Sequence, residues 1–382
     1  MTLNAAFATF NFLAIFFVLL PSAWHWRARN VPTLLLIFWI LSAVVPQAIN
    51  SVIWYHHVDD VAPIWCDIVT KLRIGSDVGV AAAALCLMRQ LESIAAGRPA
   101  HYTARDRRKQ VYIDLAVGFG LPAFVMVGHV VVQGHRYDIQ QRVGCIPSTY
   151  WSWPTLVLVT IWPPLVLIVA QIFGALAFRL FLVRRYQFAK LLATSKSAVT
   201  TSRFLRLLAL ASSQIAFSLP IQLVVLVFNV QRPFRPYHSW AYVHDDFNEV
   251  VKITMWQLNL APARSRWTFE LTFWVPIVIS ILFFVFFGLG EESLATYRSW
   301  ASAVAHWPSH FKRRHNKSGS TTPQSSMRTM ITLPPYRYAT ESGEISTSRL
   351  KEDRDDFELQ DVREAGYGGV IITVEKNDFN SV

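Results

Sequence analysis

PTLLLIFWILSAVVPQAINSVIW (residues 32–54) decides the fold class, because its 23 residues include no charged side chain. A helix needs about 20 predominantly apolar residues to cross the hydrocarbon core of a bilayer. Pro46 lies inside the stretch and would break a helix in water, but neighbouring helices re-satisfy the freed backbone groups in a membrane. The stretch therefore predicts a membrane-spanning helix.

Six further stretches have the same character, so the sequence predicts an all-α integral membrane protein with a seven-transmembrane helix bundle. The predicted spans are 4–20, 32–54, 65–91, 111–133, 153–178, 207–229 and 267–289. Composition agrees, because 53% of the chain is hydrophobic and only 16% is charged, against roughly 25% charged in soluble domains. That balance excludes an intrinsically disordered chain and argues against a soluble enzyme.

Lysine and arginine mark the predicted cytoplasmic side. The loops after the first, third and fifth spans are basic, whereas the loop 55–64 has no Lys or Arg. The loop 230–266 is the exception, with five basic residues among three acidic ones. We therefore place the N-terminus outside and the C-terminus inside. The net charge of +11 is then a topology signal, and nucleic acid is not a predicted partner.

The composition changes sharply after the membrane domain, which covers residues 1–290. Apolar residues recur at helical spacing after that point and are followed by a basic cluster. Residues 291–315 therefore predict an amphipathic helix lying in the inner interface. Residues 316–382 are rich in Ser and Thr and then acidic, which predicts a disordered cytoplasmic tail.

Two of the three cysteines fall on the predicted outer side. Cys66 begins the third span and Cys145 lies in the second outer loop, so both face an oxidising compartment in which a disulfide can form. Two free thiols are the alternative. Cys86 lies deep in the third span and is expected to be a buried, small apolar side chain.

The third span is unusually charged for a membrane helix. Asp67 and Lys71 are four residues apart, as are Arg73 and Asp77, so each pair could neutralise itself on one helix face. Charges inside a membrane are costly and usually functional. One interpretation is a self-paired outer end of the helix, and the other is the polar wall of a ligand cavity.

The sixth span and the third outer loop supply further candidates. Gln222 and Asn229 follow Pro220 in the same span, a combination typical of a hinge or of polar contacts between helices. Four apolar residues at spacings of three and four predict a short amphipathic helix across the outer mouth, either as a lid or as a ligand contact: Trp240, Val243, Phe247 and Val250.

Sequence motifs of common enzymes are missing, since the chain has no HExxH, GxSxG or P-loop. The last span contains no lysine for a retinal Schiff base. We predict no cofactor and no metal site, and we interpret the His56-His57 segment as a solvated loop. The remaining interpretation is a seven-helix signal transducer, with a transporter or a non-signalling orphan membrane protein as alternatives.

Six segments, in order along the chain, resemble the fungal mating pheromone receptors of the a-factor type. They are PSAWHWRARN (21–30), IWCDIVTKLRIG (64–75), FLVRRYQFAKLL (181–192), TSRFLRLLAL (201–210), HSWAYVHDDF (238–247) and FFGLGEESLATY (286–297). The resemblance implies a G-protein-coupled receptor of the plasma membrane with seven helices. It also implies a farnesylated peptide pheromone as ligand and a heterotrimeric G protein as partner, and it leaves a homo-oligomer open.

The resemblance also assigns roles to residues. Trp65, Asp67 and Lys71 match the outer start of the third helix, near the expected ligand entrance, and Arg73 and Asp77 depart from the family pattern. From the residue patterns and the resemblance together, the ligand-binding candidates are Trp65, Asp67, Lys71, Arg73, Asp77, Gln222, Asn229, Trp240, His244, Phe247 and Glu270. The candidates for G-protein coupling are Arg89, which here stands in Leu-Met-Arg-Gln, and Arg184, Arg185, Arg203 and Arg206.

Overall fold

Seven helices that are long and apolar enough to cross a membrane occur in the described part of the computed structural model, as the sequence predicts. We call them spans 1 to 7. Their bounds are Ala5–Arg27, Val31–Ile53, Pro63–Ala95, Ala104–Val131, Trp162–Val183, Phe204–Val230 and Arg266–Gly288. The end that the charge pattern predicts to be outside is called the outer end below.

The structure describes residues 5–98, 102–194, 201–260, 262–290, 293–299 and 302. Residues 293–299 are helical, which covers part of the predicted interfacial helix 291–315. The remainder of that helix, apart from residue 302, and the whole predicted tail 316–382 lie outside the described residues.

Several helices extend beyond the apolar stretches that predict them. Span 5 belongs to a helix that runs from Trp162 to Thr194, and span 6 belongs to the helix Thr201–Val230. Hydropathy marks only the part of a helix that suits hydrocarbon, whereas backbone hydrogen bonding continues into the polar residues that follow. Both inner ends therefore carry helical turns that the sequence prediction leaves out.

π-helical turns interrupt the regular helix in spans 4 and 7 and just before span 5. Span 4 consists of Ala104–Leu115, a π-turn at Ala116–Gly120, and Leu121–Val131. The other pieces are the short helix Trp153–Thr155 with the π-turn Leu156–Thr160, and the helix Ala263–Phe283 with the π-turn Phe284–Gly288. The turns in span 4 and before span 5 adjoin prolines, which cannot complete a regular helical ladder.

Side chains from neighbouring helices satisfy carbonyls that two of the prolines leave unpaired. Pro122 has no N–H for the Gly118 carbonyl, and the indole Nε1 of Trp39 donates to that oxygen at 2.8 Å. Pro276 likewise has no N–H for the Thr272 carbonyl, and Arg73 Nη2 donates to it at 2.9 Å. These contacts show how a membrane bundle tolerates prolines inside its spans.

A three-stranded sheet at the outer end corrects the all-α prediction. Its strands are β1 (Tyr137–Gln140), β2 (Gly144–Ile146) and β3 (Val250–Ile253), in the order β2-β1-β3. β1 pairs antiparallel with β2 and parallel with β3, so it joins the second outer loop to the third. Strands this short carry too little period-2 pattern to stand out beside seven apolar helices.

The β1–β2 hairpin packs closely against the outer end of span 2. Arg142 and Gly144 adopt positive φ angles of 72° and 80° in the hairpin. A Cβ added to Gly144 would lie 2.6 Å from the Trp54 ring and 2.7 Å from Asn50, so only glycine fits this approach. The Arg142 N–H also donates to the Trp54 carbonyl at 2.7 Å.

The predicted helix across the outer mouth is wrong over most of its length. Only Trp240–Val243 is helical, and Val250 begins β3. The backbone of Val250–Ile253 pairs with β1 instead of continuing a helix. Apolar spacing of three and four is also compatible with a turn followed by a strand, which explains the error.

Candidate functional site

A disulfide joins Cys66, in the first turns of span 3, to Cys145 in β2. It closes a sequence separation of 79 residues, and the chain-entropy account gives roughly 4 to 5 kcal/mol for a loop of that length. Trp54, Tyr137 and Ile139 pack around the bond in a small buried cluster. The disulfide therefore holds the outer sheet over span 3.

Tyr137 also holds the sheet to the first outer loop. Its hydroxyl donates to Asp60 Oδ1 at 3.0 Å. Burial and the neighbouring Asp60 carboxylate raise the pKa of Tyr137 to about 12, so the donor stays protonated at any physiological pH. Asp60 of the first outer loop thus holds Tyr137, and with it strand β1, in place.

Asp67 and Lys71 do not form the ion pair that their spacing predicts. Asp67 accepts two hydrogen bonds from Arg136, at 2.9 Å from Nε and 2.6 Å from Nη2. Arg136 comes from the second outer loop, which the disulfide returns to span 3. An intrahelical pair predicted from i,i+4 spacing is weak and gives way to a bidentate guanidinium partner.

Lys71 instead contacts span 4. Its Nζ donates to His129 Nδ1 at 3.0 Å and to Gln133 Oε1 at 2.5 Å. Since an ammonium group only donates, Nδ1 is the accepting nitrogen and Nε2–H faces Thr149 Oγ1, at 2.9 Å. His129 and Gln133 are buried, so this network connects spans 3 and 4 structurally.

A cavity of about 260 Å³ lies between spans 2, 3, 5, 6 and 7, beneath the end of β2. Its wall is largely apolar and includes Ile40, Val80, Ile146, Leu167, Val225, Phe269 and Ile279. The polar lining consists of Arg73, Ser76, Asp77, Ser218, Gln222 and Thr272. An apolar pocket with a few converging polar groups is the usual form of a small-molecule site.

Arg73 and Asp77 are the charged pair in that wall. Their ion pair is loose, with 3.8 Å between Arg73 Nε and Asp77 Oδ1. The Arg73 side chain is only 13% exposed, whereas that of Asp77 is 41% exposed towards the cavity. Arg73 is thus held mainly by other partners, and Asp77 is the charge that a ligand could reach.

The structure brings only three of the eleven predicted ligand-binding residues to this cavity: Arg73, Asp77 and Gln222. The others are not among its lining residues: Trp65, Asp67, Lys71, Asn229, Trp240, His244, Phe247 and Glu270. The indole Nε1 of Trp65 donates a hydrogen bond to Asn50 Oδ1 of span 2 at 2.7 Å.

Sequence reasoning named Glu270 of span 7 as a candidate but missed the residues of that span that line the wall. Phe269, Thr272, Phe273, Pro276 and Ile279 line the cavity at helical spacing. That spacing was present in the sequence, but a span that is apolar all round does not show which face points inwards.

Trp240 and His244 lie in the third outer loop, away from the cavity lining. Their rings stack with centroids 3.9 Å apart, and His244 Nε2 is 3.0 Å from the Val130 carbonyl of span 4. Trp240 is 53% exposed. This aromatic pair could contact only the part of a ligand that remains outside the bundle.

Arg89 forms a polar contact at the inner end of span 3. Its Nη1 donates to Gln110 Oε1 at 2.5 Å and its Nη2 to Asp114 Oδ1 at 2.6 Å. Asp114 is buried in span 4. The guanidinium therefore connects the inner ends of spans 3 and 4, a pairing that sequence spacing could not reveal.

The other predicted coupling residues lie on helices at the inner ends of spans 5 and 6. Arg184 and Arg185 belong to the helix that ends at Thr194, and Arg203 and Arg206 belong to Thr201–Val230. The side chains of Arg184, Arg185 and Arg203 are outside the described residues. Pro220 lies on an exposed face of its unbroken helix.

Comparison with known proteins assigns the chain to a family. Residues 6–306 match the Pheromone A receptor family. The Pheromone B beta 1 receptor of Schizophyllum commune is 37% identical over 304 residues, which is 79% of this chain and 56% of that protein. Pheromone receptor 1 of Mycosarcoma maydis is 32% identical over 76% of this chain and 81% of that protein.

A more distant relative is the Pheromone a factor receptor of Saccharomyces cerevisiae, which is 26% identical over 80% of this chain and 63% of that protein. The chain spans about half the length of its Schizophyllum commune relatives. The seven helices and these similarities indicate a multi-pass membrane protein. The family is one of receptors and not of enzymes. The chain therefore belongs to the Pheromone A receptor family.

Proposed function

We propose that the chain is a G-protein-coupled receptor of the plasma membrane that binds a farnesylated peptide pheromone and activates a heterotrimeric G protein. The family and the Saccharomyces cerevisiae relative named as an a-factor receptor support this proposal. The observation that carries it is the mainly apolar cavity inside the bundle, because a signalling ligand needs a site that touches several spans at once.

The cavity suits the lipid part of such a ligand. Its volume of about 260 Å³ is just below the usual range for ligand pockets, which is roughly 300 to 1000 Å³. An isoprenoid chain could contact Val225, Phe269 and Ile279 there, while the peptide remains under the outer sheet and near Trp240. The hydrophobic effect would then supply most of the affinity.

The inner side carries the features expected of a G-protein contact. Spans 5 and 6 extend past the apolar region as helices that carry Arg184, Arg185, Arg203 and Arg206. In the proposed mechanism the ligand binds one arrangement of the bundle better than the other, and the populations shift by that difference. Span 6 then pivots near Pro220, and the G protein inserts a helix between the separated inner ends.

A yeast strain that lacks its own a-factor-type receptor and carries a pathway reporter tests this function directly. The probes are synthetic peptides with a farnesylated C-terminal cysteine methyl ester, each paired with the same peptide lacking the farnesyl group. We expect a response to at least one farnesylated peptide and none to its unmodified partner. Silence towards the whole panel, at verified surface expression, would favour the orphan interpretation, and solute uptake without a reporter response would favour a transporter.

Filling the cavity should block the ligand. Val225 lines the cavity on span 6, whereas Val227 is 50% exposed on the opposite face. Val225→Trp should raise the half-maximal pheromone concentration at least about tenfold, the equivalent of 1.4 kcal/mol. Val227→Trp is the matched control and should leave the dose-response curve unchanged. Equal curves for both variants would place the lipid elsewhere.

Pro220 supplies the proposed pivot. A proline at this position has no N–H for the carbonyl four residues earlier, which weakens the helix locally. Pro220→Ala restores that hydrogen bond and should reduce the maximal reporter response while preserving surface expression. An unchanged maximal response and an unchanged basal level would contradict the pivot.

A further inference from the structure

Arg73 makes more contacts with other helices than with the acidic partner on its own helix. Its Nη2 donates to the Thr272 carbonyl of span 7 at 2.9 Å, while its Nε is 3.8 Å from Asp77. Its guanidinium also lies over the Phe273 ring, 4.5 Å from the ring centroid. An arginine that is 13% exposed needs such partners, because an unpaired buried charge is strongly destabilising.

Gln47 of span 2 completes the contacts of this guanidinium. The amide satisfies both of its polar atoms when its oxygen faces Arg73, where it accepts from Nη1 at 2.6 Å and its nitrogen donates to the Phe273 carbonyl at 3.2 Å. Arg73 therefore links spans 2, 3 and 7 at one point of the cavity wall.

The carbonyl that Arg73 binds is the one that Pro276 leaves without a helical donor. In a regular helix, residue 276 would donate its N–H to the Thr272 oxygen, and proline has none. The guanidinium replaces that missing donor from a neighbouring span. The proline-bearing turn of span 7 thus receives its missing hydrogen bond from a side chain that lies in the cavity wall.

We infer that Arg73 is a positioning residue that holds the proline-interrupted turn of span 7, and that it moves from the Thr272 carbonyl to Asp77 when a ligand fills the cavity. Besides the Gln47 oxygen, two acceptors compete for this guanidinium. The Thr272 carbonyl lies across the helix interface, and the Asp77 carboxylate lies one turn along span 3 and is open to the cavity. Two discrete positions of one side chain provide the bistable element that a switch needs.

A double-mutant cycle tests the contact with span 7 without any signalling assay. Arg73→Met should lower the melting temperature of the detergent-solubilised protein. Pro276→Ala supplies the missing N–H, so the same Arg73→Met substitution should cost at most half as many degrees in that background. Equal losses in both backgrounds would overturn the inference, because the two residues would then act independently.

The chain offers a matched control cycle in Trp39 and Pro122, where an indole N–H satisfies the Gly118 carbonyl outside the cavity. Trp39→Phe and Pro122→Ala should show the same kind of coupling in melting temperature. Their effects on the half-maximal pheromone concentration should be additive. The Arg73 and Pro276 effects on that concentration should depend on each other, and additivity there would contradict a role in switching.

Asp77→Asn tests the second position of Arg73. This step rests on the proposed function, as does the comparison of half-maximal pheromone concentrations. Loss of the carboxylate removes the competing acceptor, so the reporter response to an active farnesylated peptide should weaken at least tenfold while the melting temperature stays within a degree of the parent. An unchanged response would overturn the movement to Asp77. If the parent itself answers no peptide, the proposed function fails, whereas the melting-temperature cycle still decides the contact between Arg73 and span 7.

Discussion

Replacing Cys145 by serine is expected to remove most of the protein from the cell surface. The disulfide closes a separation of 79 residues and stabilises the fold by roughly 4 to 5 kcal/mol in the chain-entropy account. Because total stabilities are only about 5 to 15 kcal/mol, surface expression measured by antibody labelling should fall at least about fivefold. This loss is expected because the outer sheet would no longer be held over span 3.

Cys66→Ser should reproduce the defect, and the double substitution should be no worse than either single one, since each removes the same bond. Cys86 provides the control, because it is buried in the same span without a disulfide partner. Cys86→Ala should retain nearly normal surface expression. Additive defects of Cys66→Ser and Cys145→Ser would mean that the bond is not what holds the outer end together.

Removing the Asp114 carboxylate is expected to destabilise the inner end of the bundle and to raise signalling without pheromone. Asp114→Leu leaves the Arg89 guanidinium, which is 25% exposed, without its anionic partner. Breaking a buried pair in this way costs about 3 to 5 kcal/mol, and the partial exposure of Arg89 favours the lower figure. The freed arginine would be available to the G protein, which is why the basal reporter level should rise several-fold.

The double variant Arg89→Met/Asp114→Leu separates stability from signalling. Two apolar side chains in place of a buried ion pair should restore much of the melting temperature. The reporter response to pheromone should nevertheless be low, because the proposed coupling arginine is gone. Arg108→Met is the control, since Arg108 is an exposed arginine near the inner end of span 4, where a surface substitution should change little. A fully responsive double variant would remove Arg89 from the coupling role.

The seven spans could be predicted from sequence because hydropathy reports the solvent of each helix directly. A run such as Pro32–Trp54 has no other stable location than hydrocarbon or a very large protein core. The boundaries were less accurate, since helical turns at the inner ends of spans 5 and 6 continue into polar sequence. Orientation remains a prediction that rests on the basic loops.

The candidate site was only partly accessible to sequence reasoning. Arg73, Asp77 and Gln222 were predicted because charges and amides in a membrane span are conspicuous, and all three line the cavity. The aromatic residues around the outer mouth were equally conspicuous, yet Trp240 stacks on His244 instead of facing inwards. Local pattern identifies an unusual residue, but the fold decides which cavity it faces.

The number of spans, the family and the polar character of span 3 are all readable without coordinates, because composition and short segments carry that information locally. The partners of the charged residues emerge only from the folded bundle: Arg136 for Asp67, Asp114 for Arg89, and the Thr272 carbonyl for Arg73. The same holds for the sheet that joins two outer loops more than a hundred residues apart. Burial makes an unpaired charge or carbonyl costly, so each one binds the best partner nearby. The packing of the helices determines which partners are near.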